Sequence, residues 1–450
     1  APFSFSPSEL WDGNNGNWSS FVIRVGTPEQ HFRVLPSAAT GAVFVPGSTG
    51  CLQSEGDPHD CADRRGVINS TFHQGFESNA SETWKTVGSF ETLIATELGY
   101  AANASFGSDY VGLKGSNSGA PRLADQVVGS LFLKQPFFVG FFGLSPKPFN
   151  FTDFNDPRPS YITSLRSTGG IPSVSYGYTA GASYSNTGQI LGSLTLGGYD
   201  ENRFESHSIK FPFGPNDERP TSLTLQHMTA DSTPNGTVTL LQNRIYVNLD
   251  FTTPYLWLPA NTCDRIASQF NLKYDAATTL YIVGNDSHAE LVASNPSFTF
   301  DLGDSQNPAD RVSIVVSYAA FDLQASWPTY NSSTKYFPIR RADESQYTLG
   351  RAFMQEAYII VDYERKNFSV HKALFPATRE QKLTSILAED VDQNAKSYEK
   401  ETHLSRASFV GITIGSIVCL VVLVAATVLF YCRRRRSCGA DQANCTYQSS

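Results

Sequence analysis

Two stretches of this chain follow one outline, and that repetition limits what it can fold into. Arg33-Val34-Leu35-Pro36-Ser37-Ala38-Ala39-Thr40-Gly41-Ala42-Val43-Phe44-Val45-Pro46 is an apolar strand, a turn of small residues and a second apolar strand ending at proline. Ile245-Tyr246-Val247-Asn248-Leu249-Asp250-Phe251-Thr252-Thr253-Pro254-Tyr255-Leu256-Trp257-Leu258-Pro259 repeats the plan. Each is followed, roughly a hundred positions later, by a strand closed by glycine: Gly143 after the first, Gly350 after the second. A unit used twice at this spacing is the trace of a pseudo-two-fold, mostly β fold. Segments such as Ser297-Phe298-Thr299-Phe300 and Ser313-Ile314-Val315-Val316 are strand-like as well.

A chain of 450 residues has room for two lobes and additional segments. Its 40% apolar and 12% aromatic content supports a large core and excludes wholesale disorder. Net charge is −8, and four of the basic residues fall in the single run Arg433 to Arg436, so nothing basic remains to grip nucleic acid.

The C-terminal region has a different composition. Phe409 to Tyr431 carries no charge. As a helix rising about 1.5 Å per residue, it is long enough for a hydrocarbon core of roughly 30 Å. Arg433-Arg434-Arg435-Arg436 follows at once, a stop-transfer signal that predicts a single-pass type I protein of the plasma membrane or another secretory-pathway membrane, its globular part extracellular or luminal. Before it, 377–408 is polar and charged and reads as a stalk; 432–450 reads as a cytoplasmic tail, in which Cys432 and Cys438 are candidates for palmitoylation. The sequons at Asn17, Asn69, Asn79, Asn103, Asn150, Asn235, Asn285, Asn331 and Asn367 are candidate glycosylation sites and agree with that compartment. The start at Ala1 suggests that a signal peptide has been removed.

From about Asn17 to Lys372 the chain resembles the pepsin-like aspartic proteases, in particular membrane-anchored fungal homologues. Ser20-Phe21-Val22-Ile23-Arg24-Val25-Gly26-Thr27-Pro28-Glu29-Gln30 is similar to an early strand of that family and the turn after it. Gly140-Phe141-Phe142-Gly143-Leu144 is similar to the segment packed beneath the first active-site loop, and Tyr161 to Leu165 to a short helix that follows. Gly192-Ser193-Leu194-Thr195-Leu196-Gly197-Gly198-Tyr199-Asp200 and Tyr347 to Asp362 extend the match, with Arg351 where the family usually has Asp. The resemblance implies an all-β, bilobal fold with lobes 1–200 and 201–376, followed by the stalk, the transmembrane helix 409–431 and the tail. It implies no cofactor and no metal. It also implies a disulfide between Cys51 and Cys61, two free thiols being the alternative, while Cys263 has no obvious partner and is expected as a buried free thiol.

The active-site motif is degenerate. Where the family reads D-T-G-S/T, the first copy reads Ser37-Ala38-Ala39-Thr40, and the second keeps Asp250 but continues Phe251-Thr252-Thr253. Aspartic proteases need two carboxylates that share a proton and hold a water; Ser37 cannot titrate in that range. Ala38 and Phe251 cannot make the hydrogen bonds that cross between lobes, and Ala39 and Thr252 add Cβ atoms where the family has glycine. Asp250 is either the residual catalytic position or an ordinary buried polar group. Phe106, within Asn103-Ala104-Ser105-Phe106-Gly107, stands where a flap aromatic is expected, although an ordinary strand aromatic fits equally well. Thr40, Thr253 and Phe106 are the candidate substrate contacts. Three functions are open: a catalytically impaired member binding an extended peptide, protein or other surface ligand between the lobes, an active endopeptidase using Asp250 in a non-standard site, and a structural surface glycoprotein.

Overall fold

A computed structural model of the chain describes residues 1–71, 73–151, 156–185, 188–233, 235–305, 307–376, 380–389 and 427–429. Two units separate, Ala1–Ala388 and Glu389–Ser450. In the second, residues 427–429 are helical. The rest of the expected span 409–431, the tail with Cys432 and Cys438, and the stalk beyond 389 lie outside the described residues. Among the described residues no helix is long and apolar enough to cross a membrane.

The first unit is mostly β, and the sequence repeat is a repeat of chain path. In the first copy, Gln30–Ser37 runs parallel to Gly140–Gly143, with Ser37 opposite Gly143. Val43–Pro46 then returns antiparallel to Gly140–Gly143 and parallel to Arg122–Leu131. In the second copy, Ile245–Leu249 runs parallel to Thr348–Leu349, and Leu256–Pro259 lies antiparallel to that strand and parallel to Ile339–Ala342. Val43, Phe44, Val45, Leu256, Trp257 and Leu258 are all buried, as parallel strands covered on both faces require.

Gly143 and Gly350 explain why each copy closes with glycine. A Cβ on Gly143 would strike the carbonyl oxygens of Thr40 and Ala42; a Cβ on Gly350 would strike those of Thr253 and Tyr255. These pairs are equivalent in the two copies, so the tight strand-through-loop crossing is built twice.

The expected division at 200/201 does not separate two sheets. A six-stranded sheet joins Phe3–Phe5, Ile190–Leu196 and Ser175–Ala182 to Ala357–Asp362, Asn367–Lys372 and Phe211–Pro212, so strands from both ends of the chain share it. The stalk also begins later than its polar composition suggested. Leu383–Ser385 pairs antiparallel with Gly198–Asp200, and the compact unit extends to Ala388. Backbone pairing on an open sheet edge needs little apolar side chain, which is why that segment reads as solvated.

Cys51 and Cys61 are disulfide-bonded, with Cα atoms 5.8 Å apart. Beside them Arg65 is fully buried and donates to the carbonyls of Gly50, Leu131, Leu133 and Phe138, fixing the loop to the strands beneath. Burial pulls that guanidinium down to about 10. Cys263 is free and buried, and burial pushes its thiol up to about 12. The helix Tyr161–Ser167 forms where expected, with the Ser160 hydroxyl accepting the Thr163 N–H as its cap. Of the sequon asparagines, Asn150 and Asn367 are half-buried and the others are exposed.

Candidate active site

Ser37 and Asp250 sit at the same place in the two copies, at the end of the first strand where the chain turns under its glycine-closed partner. Ser37 is fully buried, and its Oγ lies 2.7 Å from Thr252 Oγ1. The Ala39 N–H points at the same two hydroxyls, 3.3 Å from Ser37 Oγ and 3.4 Å from Thr252 Oγ1. The bridge between the copies is therefore a pair of hydroxyls. This corrects the expectation that the crossing is lost with Ala38 and Phe251. Thr252, at the position of the family glycine, supplies the hydrogen bond, while Phe251 turns inward against the Tyr178 ring, with centroids 4.3 Å apart.

Asp250 is 2% exposed. Its Oδ1 accepts the Thr252 N–H at 2.9 Å, and its own N–H donates to Leu349 O at 3.2 Å. Burial raises its carboxyl above the usual range; the Thr252 hydroxyl and amide, then Arg219 and Arg351, act in the opposite direction without overcoming it. Arg351 is 3% exposed and donates through Nε to Phe251 O at 3.0 Å and through Nη2 to Thr252 O at 2.9 Å. A guanidinium thus clamps the loop that follows Asp250. The place equivalent to Asp250 in the first copy holds the Ser37 hydroxyl instead of a carboxylate.

The hairpin of Lys85–Glu91 and Asn103–Leu113 carries residues 92–102 across to the second copy. Tyr100 Oη is 3.2 Å from Thr253 Oγ1, and its ring packs edge-on against Trp257 and Phe137. Gln346 Nε2 donates to Glu97 O at 2.9 Å, a second tie from the hairpin tip. Burial raises the Glu97 carboxyl, and the nearby Asp250 adds to the effect.

Tyr100, not Phe106, is the aromatic at this site. Phe106 is fully buried inside the sheet, against Phe44, Phe149 and Phe151. It pairs with Gly88 within the hairpin ladder, back from the tip, and its ring enters the core. The Gly99-Tyr100 pair was the overlooked signal: Gly99 has φ +76° and ends a short turn, so the tyrosine that follows is set at the tip.

Thr40 is also not positioned as a ligand contact. It is buried, and its Oγ1 accepts the Ala42 N–H at 3.1 Å, a local turn that uses the hydroxyl internally. Thr253 instead lines a cavity of about 550 Å³ together with Tyr100, Thr252, Tyr255, Arg340 and Arg351. The cavity lies beside Ser37 and Asp250, neither of which lines it. Sequence reasoning missed Arg340 and Tyr255 altogether, because nothing in their local pattern sets them apart from strand residues.

The sequence profile of the eukaryotic aspartyl protease family matches residues 21–373. The chain belongs to that family. Among known proteins it is similar to barrierpepsin of Saccharomyces cerevisiae, 23% identical over 402 residues covering 83% of this chain and 63% of that protein. It is also similar to aspartic proteinase yapsin-3 of the same yeast, 22% identical over 386 residues covering 82% of this chain and 68% of the relative. The chain thus spans less than two thirds of barrierpepsin. Ser37 and Asp250 occupy equivalent places in the two copies of this fold, one holding a hydroxyl and the other a carboxyl.

Proposed function

We propose that this chain is a type I membrane-anchored member of the aspartyl protease family, routed through the secretory pathway, whose peptidase activity is absent or very weak and whose inter-lobe cavity holds an extended peptide. The observation that carries this reading is the 2.7 Å contact between Ser37 Oγ and Thr252 Oγ1. Hydrolysis by this family needs one ionised and one protonated carboxyl on a shared water, with the roles exchanging during the reaction. Two hydroxyls that satisfy each other take no proton from water near either carboxyl range. Asp250 alone supplies one acid or base, and loss of one member of such a unit costs on the order of 10⁴ to 10⁶ in rate.

The cavity supports the binding half of the reading. It combines the aromatic rings of Phe137, Phe141, Tyr100 and Tyr255 with many amide, hydroxyl and guanidinium groups, so it can both pack against side chains and hydrogen-bond an extended backbone. The test is turnover of unfolded protein substrate by the full chain in detergent, compared with its Asp250→Asn variant. Background-level cleavage by both agrees with the proposal. Turnover by the wild type that Asp250→Asn abolishes overturns it and favours an active endopeptidase.

A further inference from the structure

The cavity beside Ser37 and Asp250 has an unusual charge balance. Every charged residue lining it is an arginine, Arg340 or Arg351. Neither is ion-paired with a carboxylate among the described residues. Arg351 spends two of its donors on the Phe251 and Thr252 carbonyls. Arg340 donates through Nη1 to Thr279 Oγ1 at 2.6 Å, but its buried Nε has no hydrogen-bond partner. Its guanidinium carbon lies 4.2 Å from the centroid of the Tyr255 ring and 5.4 Å from that of the Trp257 ring.

A guanidinium held over two aromatic rings has little freedom to turn, and an unmade hydrogen bond on a buried cation is costly to leave. Proteins usually meet that cost with an acidic side chain, and here none is supplied. Tyr100 and Thr253 line the same space and add neutral polar groups.

We propose that this cavity is a carboxylate-binding site: it receives the acidic side chain, or the free C-terminal carboxylate, of an extended peptide, with Arg340 as the principal contact and Arg351 completing the positive field. This rests on the peptide-binding reading above and names the chemistry of its ligand. The planar fork of an arginine suits a carboxylate in two parallel hydrogen bonds, and the surrounding aromatic rings accept the apolar stem of the side chain.

The experiment uses the full chain in detergent and fluorescence anisotropy with dye-labelled extended hexapeptides. The peptides carry Glu or Gln at a central position, each as a C-terminal acid or amide. The expected result is binding at least about tenfold tighter for one carboxylate-bearing form over its neutral partner, the size of one charge-assisted contact. Which pair shows the difference identifies the source, side chain or C-terminus. Arg340→Met is expected to remove the preference, so that acid and neutral peptides bind alike, and Arg340→Lys to restore only part of it. The wild-type comparison needs no variant, so a misfolded variant does not blunt the test. Equal binding of all four peptides overturns the carboxylate assignment while leaving peptide binding intact. Binding of none overturns the peptide reading and this inference with it. Competition by inorganic phosphate as strong as that by acetate shows a general anion site and also overturns it.

Discussion

His371→Gln is expected to flatten the loss of stability that the wild type shows on mild acidification. His371 is 3% exposed and lies in the sheet shared by both ends of the chain. Its ring stacks on His207, with centroids 4.1 Å apart, and packs at a tilt against Phe204 at 4.5 Å. Nδ1 is 3.3 Å from Glu205 O, which only accepts, so Nδ1 carries the proton and Nε2 accepts from the Ser369 hydroxyl at 2.8 Å. The charged neighbours Glu205 and Lys372 pair with each other at 3.8 Å. Burial, with His207 adding to it, pulls the imidazole from 6.5 down to about 4. Between those values the unfolded chain binds the extra proton and the folded one does not. The contribution is therefore fully present above 6.5, falls as pH drops, and is lost below about 4. At about 1.4 kcal/mol per pH unit this amounts to about 3 kcal/mol. With an unfolding entropy of about 2 cal/mol/K per residue, it corresponds to about 4 °C in Tm for a body of this size. The assay is thermal unfolding of the full chain in detergent from about pH 7.5 to about pH 4, wild type against His371→Gln. The difference between their Tm values should narrow by that amount as pH falls. Parallel curves would refute both the buried neutral histidine and the sign of its contribution.

Three further outcomes follow from the site and the core. Ser37→Asp alone is expected to give no turnover of protein substrate between about pH 3 and pH 6, because the new carboxyl meets the Thr252 hydroxyl and lacks the family's glycine geometry; cleavage above the Asp250→Asn background would contradict this. Phe106→Ala should cost about 3 to 5 kcal/mol in denaturant unfolding as a core cavity, whereas Tyr100→Phe, which loses only the bond to Thr253, should cost about 1 kcal/mol; similar losses would mean that the tip and the core have been confused. Replacing Cys51 and Cys61 by Ser should lower stability by about 3 kcal/mol for so short a ring, and Cys263 should react with iodoacetamide only after denaturation.

The fold was legible because its evidence is repeated: two strand–turn–strand units and two closing glycines give the same path twice, and each checks the other. The positions of Ser37 and Asp250 followed from that register. What the sequence could not convey was where side chains go once a motif is degenerate. Thr252 was counted only as a bulky replacement for glycine, yet its hydroxyl makes the bridge that Ala38 and Phe251 cannot. Phe106 and Tyr100 lie on one hairpin, and only the pleat and the turn at Gly99 decide which of them reaches the second copy. Arg351 was visible as a departure from the family pattern, but its partners are backbone carbonyls, and carbonyls leave no trace in side-chain pattern. The edge strand Leu383–Ser385 was missed for the same reason.

Ser37 and Thr252 are best considered as one substitution. A carboxylate removed from a buried site leaves a gap and stranded donors, which cost about 1 to 3 kcal/mol per unsatisfied group. Ser37 and Thr252 meet at 2.7 Å and satisfy each other without any charge. The centre of the fold is therefore tied across its two copies by a neutral pair of hydroxyls. Asp250 is left with a raised carboxyl and hydrogen bonds from its own loop. Positive charge gathers beside it instead, on Arg351 where the family carries an acid and on Arg340 over Tyr255. On the proposed reading, the charge of this region sits on the two arginines of the neighbouring cavity, where it would select a ligand by its own charge.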